Sequence, residues 1–277
     1  MAVIAMTREM ATRGKDVAAG LAERLDLTIV HSELVEHDIA EHSGMRESEV
    51  HRFLEGEASL LDRWKIDPRR LSRYTAEEIF ELAAKGRVLI RGWGANYLLR
   101  NVTHVIGVRI CAPMSFREQV LMERLGINER ARARHEIERN DAAHNGAVQK
   151  LFGIDWSDVS LYAIVLNTAR VSVEDCVEQI VRLAECPIFQ ESPEARAALL
   201  DKVIEARVGS ALARRFGSGA LAKGFEATVS AGKVTLTGAS TDELLIVDAI
   251  RLVHTVEGVT GVESKIAHVD FHPAGGF

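Results

Sequence analysis

Four short runs, AVIAM (2–6), RVLI (87–90), HVIGVRI (104–110) and AIVLN (163–167), are dominated by apolar residues with no apolar/polar alternation. A strand with one wet face alternates, whereas a strand covered on both faces reads as a continuous apolar run. Parallel pairing then follows, because parallel strands need long crossover connections and those connections supply the covering layers. KDVAAGLAERL is one such connection, with Val17, Ala18, Leu21, Ala22 and Leu25 on a single helical stripe. In TAEEIFELAA, Thr75 stands three residues before Glu78, the spacing of a capping box, so a helix is expected to open there. The chain up to about Ala184 therefore reads as an α/β domain, a parallel sheet covered by helices.

The rhythm then changes. Cys186-Pro187 and Ser192-Pro193-Glu194 flank a stretch without periodicity, the composition of a linker. Beyond it come a helix from Ala197 to Arg214, the strand-like FEATVS and AGKVTLTG, a helix from about Thr241 to His254, and GVESKIAHV. Val229, Val234 and Leu236 alternate with polar neighbours, and Gly232 supplies the positive φ of a tight hairpin. Ser240 and Glu243 have capping-box spacing. The expected division is a first domain over 1–188, a linker over 189–195, a small α+β domain over 196–270 and a tail over 271–277. From Arg196 onward nine basic residues balance nine acidic ones, so the net charge of -6 resides in the first domain.

That acidic balance argues against nucleic-acid binding, and none is expected. Three cysteines, Cys111, Cys176 and Cys186, form no CxxC pair, which disfavours a disulfide framework or zinc site and suits a cytoplasmic location. The first apolar run is too short for a secretory or membrane-spanning segment.

A strand, a turn and a helix opening on Gly14-Lys15 make the local arrangement in which backbone amides and a lysine hold phosphate. Against GxxxxGK[ST], Glu9 replaces the first glycine and Asp16 the hydroxyl residue.

The surrounding segments resemble the cytidylate kinase-like family, a branch of the P-loop nucleoside monophosphate kinases. Thr7-Arg8-Glu9 is similar to that family's SRE, Thr12 to its loop serine, Gly14 to its last loop glycine and Lys15 to the arginine that follows. VLIRGWGANYLLR carries Gly92, Gly94, Ala95 and Asn96 of the family's GRGANYILR-like turn. CAPMSFREQVLMERLGI, IERNDAAH and LFGIDWSDVSLYAIVLNT resemble the next strand and helix, the lid helix and the last strand, which ends at Asn167-Thr168. The chain departs from the pattern at Ala11 and Arg13, where loop glycines are usual, at Trp93, which replaces an arginine, and at His144, where the lid has an arginine.

The resemblance implies binding of ATP with Mg²⁺ and transfer of the γ-phosphoryl group to a nucleoside monophosphate. Lys15, Arg139 and Asp141 are implied as catalytic residues. Arg8, Thr12, Arg13, Gly14, Lys15, Asp16, Arg130 and Arg134 would hold the donor, with Thr12 or Asp16 toward the metal. Arg91, Gly92, Trp93, Gly94, Asn96 and His144 would face the acceptor. The rival reading is a nucleotide-binding regulator impaired in turnover by its departures at Arg13, Trp93 and His144.

Residues 196–270 resemble a BON domain through the leading helix, GKVTLTG (232–238) and AIRLVHTVEGVTGV (249–262). The resemblance implies a binding module for a small hydrophobic ligand, lipid or protein, and no catalysis. Other features read as structural. His268 and His272 lie at a strand end, His31, His37 and His42 do not converge on one helix face, and Trp64 and Trp156 suit a core or domain edge.

Overall fold

The structure, a computed structural model, describes residues 2–30, 39–40, 46–54, 67–92, 94–221 and 225–269. Trp93, Trp64, His31, His37, His42 and His272 lie outside the described residues. The chain divides into two compact units, Met1–Arg196 and Ala197–Phe277.

In the first unit, β1 (Val3–Arg8) is central, flanked by β3 (Val88–Arg91) and β4 (Val105–Cys111), with β2 (Thr28–Val30) and β5 (Ile164–Asn167) outside them. All four pairings are parallel, and the order is β2-β3-β1-β4-β5. The apolar runs explain this: Val3, Ile4, Ala5 and Met6 are all buried, as are Leu89, Ile90, Ile106 and Val108. Helices α1 (Gly14–Leu25), α2 (Glu47–Leu54), α3 (Pro68–Lys85), α4 (Ala95–Leu98), α5 (Met114–Leu125), α6 (Arg130–Phe152) and α7 (Val173–Glu185) belong to this unit. The stripe Val17, Ala18 and Leu21 of α1 meets Cys176, Val177 and Ile180 of α7 in one apolar cluster. β1 connects outward past β3 to β2, while β4 lies on its other side. The chain reverses direction across the sheet there, and open parallel sheets bind ligands at the carboxyl ends of strands beside such a point.

The start of α3 differs from the expectation. α3 begins at Pro68, capped by Asp67, whose side chain accepts from the Arg69 amide. Thr75 therefore lies inside the helix, buried, with its hydroxyl donating to the Leu71 carbonyl at 2.9 Å. The capping-box spacing occurs there without a helix end, because a threonine on a covered helix face can satisfy itself within the preceding turn.

The second unit contains most of α8 (Pro193–Leu221), then β6 (Glu226–Ser230), β7 (Lys233–Ser240), α9 (Glu243–His254) and β8 (Gly261–His268). α8 starts at Ser192-Pro193, within the stretch read as linker, and is broken at Gly217, whose positive φ of 68° is non-helical. β6 and β7 pair antiparallel, and β7 and β8 parallel. Ala231 and Gly232 take φ of 50° and 75°, the two left-handed residues of a type I′ hairpin turn. Both of their amides donate to the Asp201 carboxylate. α9 is capped by Asp242, which accepts from the Leu244 and Leu245 amides, so Ser240 is not the cap expected from its spacing. Val208, Leu212, Phe225, Val234, Leu236, Ala249 and Val253 form this unit's core.

Candidate functional site

β1 ends at Thr7 and Arg8, and the chain turns through residues 9–13 into α1. Ala11 and Arg13 both adopt left-handed backbone, with φ of 61° and 57°. These are two positions where the sequence departs from glycine, so the turn keeps a glycine-type path with side chains on it. An L-residue pays about 1–2 kcal/mol for that conformation. Arg13 projects its guanidinium over the Phe116 ring at 5.7 Å.

The turn is held from behind by two buried arginines, Arg109 and Arg117, that the sequence reading did not single out. Glu9 accepts from Arg109 at 2.7 Å and lies 3.4 Å from Arg117, whose side chain is only 5% exposed. Arg117 also donates to the Met10 carbonyl at 2.7 Å and to Asp141 at 2.6 Å. Two guanidiniums thus face two carboxylates, the pairing that burial of charge demands. Arg109 was visible as the one charge inside the apolar run 104–110, which was the available signal.

Several expected site residues are used differently. Thr12 is fully buried and its hydroxyl donates to the Glu9 carbonyl at 2.8 Å, so it braces the turn rather than presenting itself to a metal or phosphate. Asp141 receives Arg117 and is a tie between α6 and the turn. Arg134 and Arg130 reach Glu118, a carboxylate only 1% exposed, at 2.6 and 3.5 Å. Arg139 pairs with Glu136 on the exposed side of α6. Asp16 is exposed in the first turn of α1.

Other expected residues do converge. A cavity of about 290 Å³ opens at the carboxyl ends of β1 and β3, near the lower end of the range for small-molecule sites. Arg8, Lys15, Arg91, Gly92, Asn96 and His144 all line it. Gly94 also lines it, with φ +67°, and a Cβ there would stand 2.4 Å from the Phe152 ring. The same cavity is lined by the aromatic side chains of Tyr97, Phe152, Trp156 and Tyr162.

Trp156 corrects the reading as a core or edge residue. It lines the cavity, its ring lies 5.3 Å from the Arg109 guanidinium, and its ring centroid is 5.8 Å from that of His144. Arg109 and the Tyr162 hydroxyl both donate to its carbonyl at 2.6 Å, fixing the backbone that presents the ring. The cavity therefore combines cations suited to phosphate with flat rings suited to stacking. Among the described residues no cluster of three or more His, Cys, Asp or Glu is arranged to hold a metal ion.

Both units are similar to known proteins. Residues 3–170 match the model of the cytidylate kinase-like family, and residues 200–269 match the BON domain. A cytidylate kinase of Pyrococcus horikoshii is 27% identical over 154 residues, covering 56% of this chain and 73% of the relative. Its counterpart from Methanopyrus kandleri is 27% identical over 182 residues, covering 63% and 88%. A solved structure of an uncharacterized protein from Eubacterium ventriosum is similar in fold, with TM-score 0.52 at 19% identity, covering 66% of this chain and 98% of that one.

Proposed function

Because the chain belongs to the cytidylate kinase-like family over residues 3–170, we propose that its first unit transfers the γ-phosphoryl group of ATP to a nucleoside monophosphate. The observation that carries this reading is the meeting of Lys15, Arg8, Arg91 and His144 on one cavity with aromatic side chains.

Phosphoryl transfer asks a protein for position and positive charge more than for covalent chemistry. Lys15 and the amides at the Gly14 helix start hold the donor phosphates, where the α1 dipole adds favourable charge. Arg91 and the turn ahead of Asn96 hold the acceptor phosphate, and His144 donates to it from α6. An acceptor phosphate oxygen attacks the γ-phosphorus while the bond to the bridging oxygen breaks, leaving ADP. The acceptor oxygen is already ionised near neutrality, so no general base is required. The acceptor base stacks on Trp156.

A magnesium ion would be held mostly by phosphate and water, with Asp16, exposed in the first turn of α1, as the candidate protein oxygen. The ion, when bound, neutralises charge on the β- and γ-phosphates. A cytoplasmic location, with ATP available and the three cysteines free, accords with this role.

A coupled assay of ADP release with ATP, Mg²⁺ and each of CMP, UMP, AMP and GMP tests the reading. Turnover with at least one acceptor is the expected result. Nucleotide binding with no ADP release would favour the second reading, a regulator whose BON domain senses a small hydrophobic ligand, lipid or protein. The engagement of Asp141 by Arg117 and of Arg134 by Glu118 is the observation on its side.

A further inference from the structure

Asn96 lines the cavity yet is only 5% exposed, and its amide nitrogen is spent on a neighbour, donating to the Thr7 hydroxyl oxygen at 2.8 Å. Its carbonyl oxygen has no hydrogen-bond partner among the described residues. That oxygen packs against Gly107 of β4, where a Cβ would stand 2.8 Å away, so the side chain fits only because position 107 is glycine. A buried amide held this way has a fixed direction.

Thr7 lies at the carboxyl end of β1 and also lines the cavity. Its backbone is fixed by pairing with Arg109 in β4. A hydroxyl has one proton to give and lone pairs to receive. With the lone pair facing Asn96 engaged, the proton must be turned away from Asn96. Among the described residues the Thr7 hydroxyl donates to no protein acceptor. Arg8, Lys15 and Arg91 line the same cavity and attract an anion to it.

We infer that Thr7 donates a hydrogen bond to a phosphate oxygen in this cavity, and that Asn96 is the positioning residue that aims it. This deepens the proposed function, because the phosphate is that of the nucleotide the cavity would hold. Asn96 then contributes by holding Thr7 rather than by contacting the acceptor itself.

The test titrates inorganic phosphate and CMP separately into the full-length protein by calorimetry. Thr7→Val keeps the shape and removes the proton, and is expected to weaken both ligands about tenfold to a hundredfold, the loss typical of a hydrogen bond to a charged group. Thr7→Ser retains the proton and is expected to stay within about threefold. Asn96→Asp keeps the shape, but the new carboxylate can only accept, so it captures the Thr7 proton. In that background Thr7→Val is expected to cost less than about twofold more, a coupling that a merely structural role would not produce.

Equal affinities in wild type and Thr7→Val, with equal thermal unfolding temperatures, would overturn the role of Thr7. An undiminished Thr7→Val loss in the Asn96→Asp background would overturn the aiming role of Asn96. Phosphate binding without CMP binding or ADP release would sink the proposed function, while the Thr7 comparison on phosphate still decides this inference. A wild type that binds neither ligand overturns both.

Discussion

The Arg117 guanidinium donates to Asp141 at 2.6 Å and to the Met10 carbonyl at 2.7 Å, so one side chain of α5 joins α6 to the turn after β1. With its side chain 5% exposed, this arginine cannot be removed without stranding the Asp141 carboxylate, while Glu9 keeps its bond from Arg109. Arg117→Ala is expected to destabilise the protein by about 3–5 kcal/mol in urea denaturation, the cost of breaking a buried pair from one side. Arg117→Lys should recover only part of that loss, since an ammonium cannot reproduce the forked contacts. A loss under 1 kcal/mol for Arg117→Ala would show that the tie carries no stability.

That network also shows where the sequence was legible and where it was not. The parallel sheet was readable because Ile4, Ala5, Leu89 and Ile106 leave no wet face in their runs. The hairpin at Gly232 was readable because a left-handed turn demands such a residue. Arg109 stood out only as a charge in an apolar run and Arg117 not at all, since burial of an ion pair depends on partners far apart in sequence. The helix start at Pro68 was missed because the Thr75–Glu78 spacing satisfies a local rule inside a helix whose true cap, Asp67, lies eight positions earlier. Lys15, Arg8 and Asn96, which line one cavity, were legible together because a family pattern records residues that meet in space.

Lys15→Ala should weaken ATP binding by about 1.5–3 kcal/mol, the worth of a hydrogen bond to a charged group. Calorimetry at constant ionic strength measures it, because exposed charge is screened by salt. Unchanged ATP affinity would mean that Gly14-Lys15 does not hold the donor.

Arg13 sits at φ 57° and Gly14 begins the helix immediately after it. Arg13→Gly relieves the left-handed strain but loosens the unfolded chain and forfeits the contact with Phe116, so a net gain of about 0.5 kcal/mol is expected. Arg13→Val should instead cost about 1 kcal/mol or more, because a branched Cβ is poorly tolerated at positive φ. Thermal unfolding of the two variants in parallel decides it, and equal midpoints would refute strain at this position.

His104 is only 1% exposed, and burial holds its pKa below the ordinary histidine value, with Glu191 opposing the shift and Arg196 adding to it. The unfolded chain takes up this proton near pH 6.5, whereas the folded protein takes it up only at lower pH. The unfolded state therefore binds more protons below about pH 6.5, so this group's contribution to stability is lost as pH falls toward the folded pKa. His104→Gln should flatten that part of the profile by at most about 1.4 kcal/mol per pH unit. Parallel profiles for wild type and variant between pH 7 and pH 5 would rule the histidine out.

Arg196 donates to the Ala84 carbonyl at 2.6 Å and lies 3.3 Å from Glu191, so residues just before the second unit belong to the first by their bonds. A fragment ending at Gln190 loses both contacts, whereas one ending at Arg196 keeps them. The shorter fragment is expected to fold but to be less stable by about 1 kcal/mol, the typical net worth of one internal hydrogen bond. The complementary fragment should begin at Ser192, whose hydroxyl caps α8 by accepting from the Ala195 amide. It is expected to fold as a small module around Val208, Phe225, Leu236 and Val253. Coupling between sites is reciprocal, so a second unit that governs nucleotide binding must change ATP affinity when it is removed. Equal ATP affinity and turnover in the full chain and the fragment ending at Arg196, each measured with and without phosphatidylglycerol vesicles, would exclude regulation by an anionic lipid. An insoluble first fragment would instead show that the two units share one cooperative core.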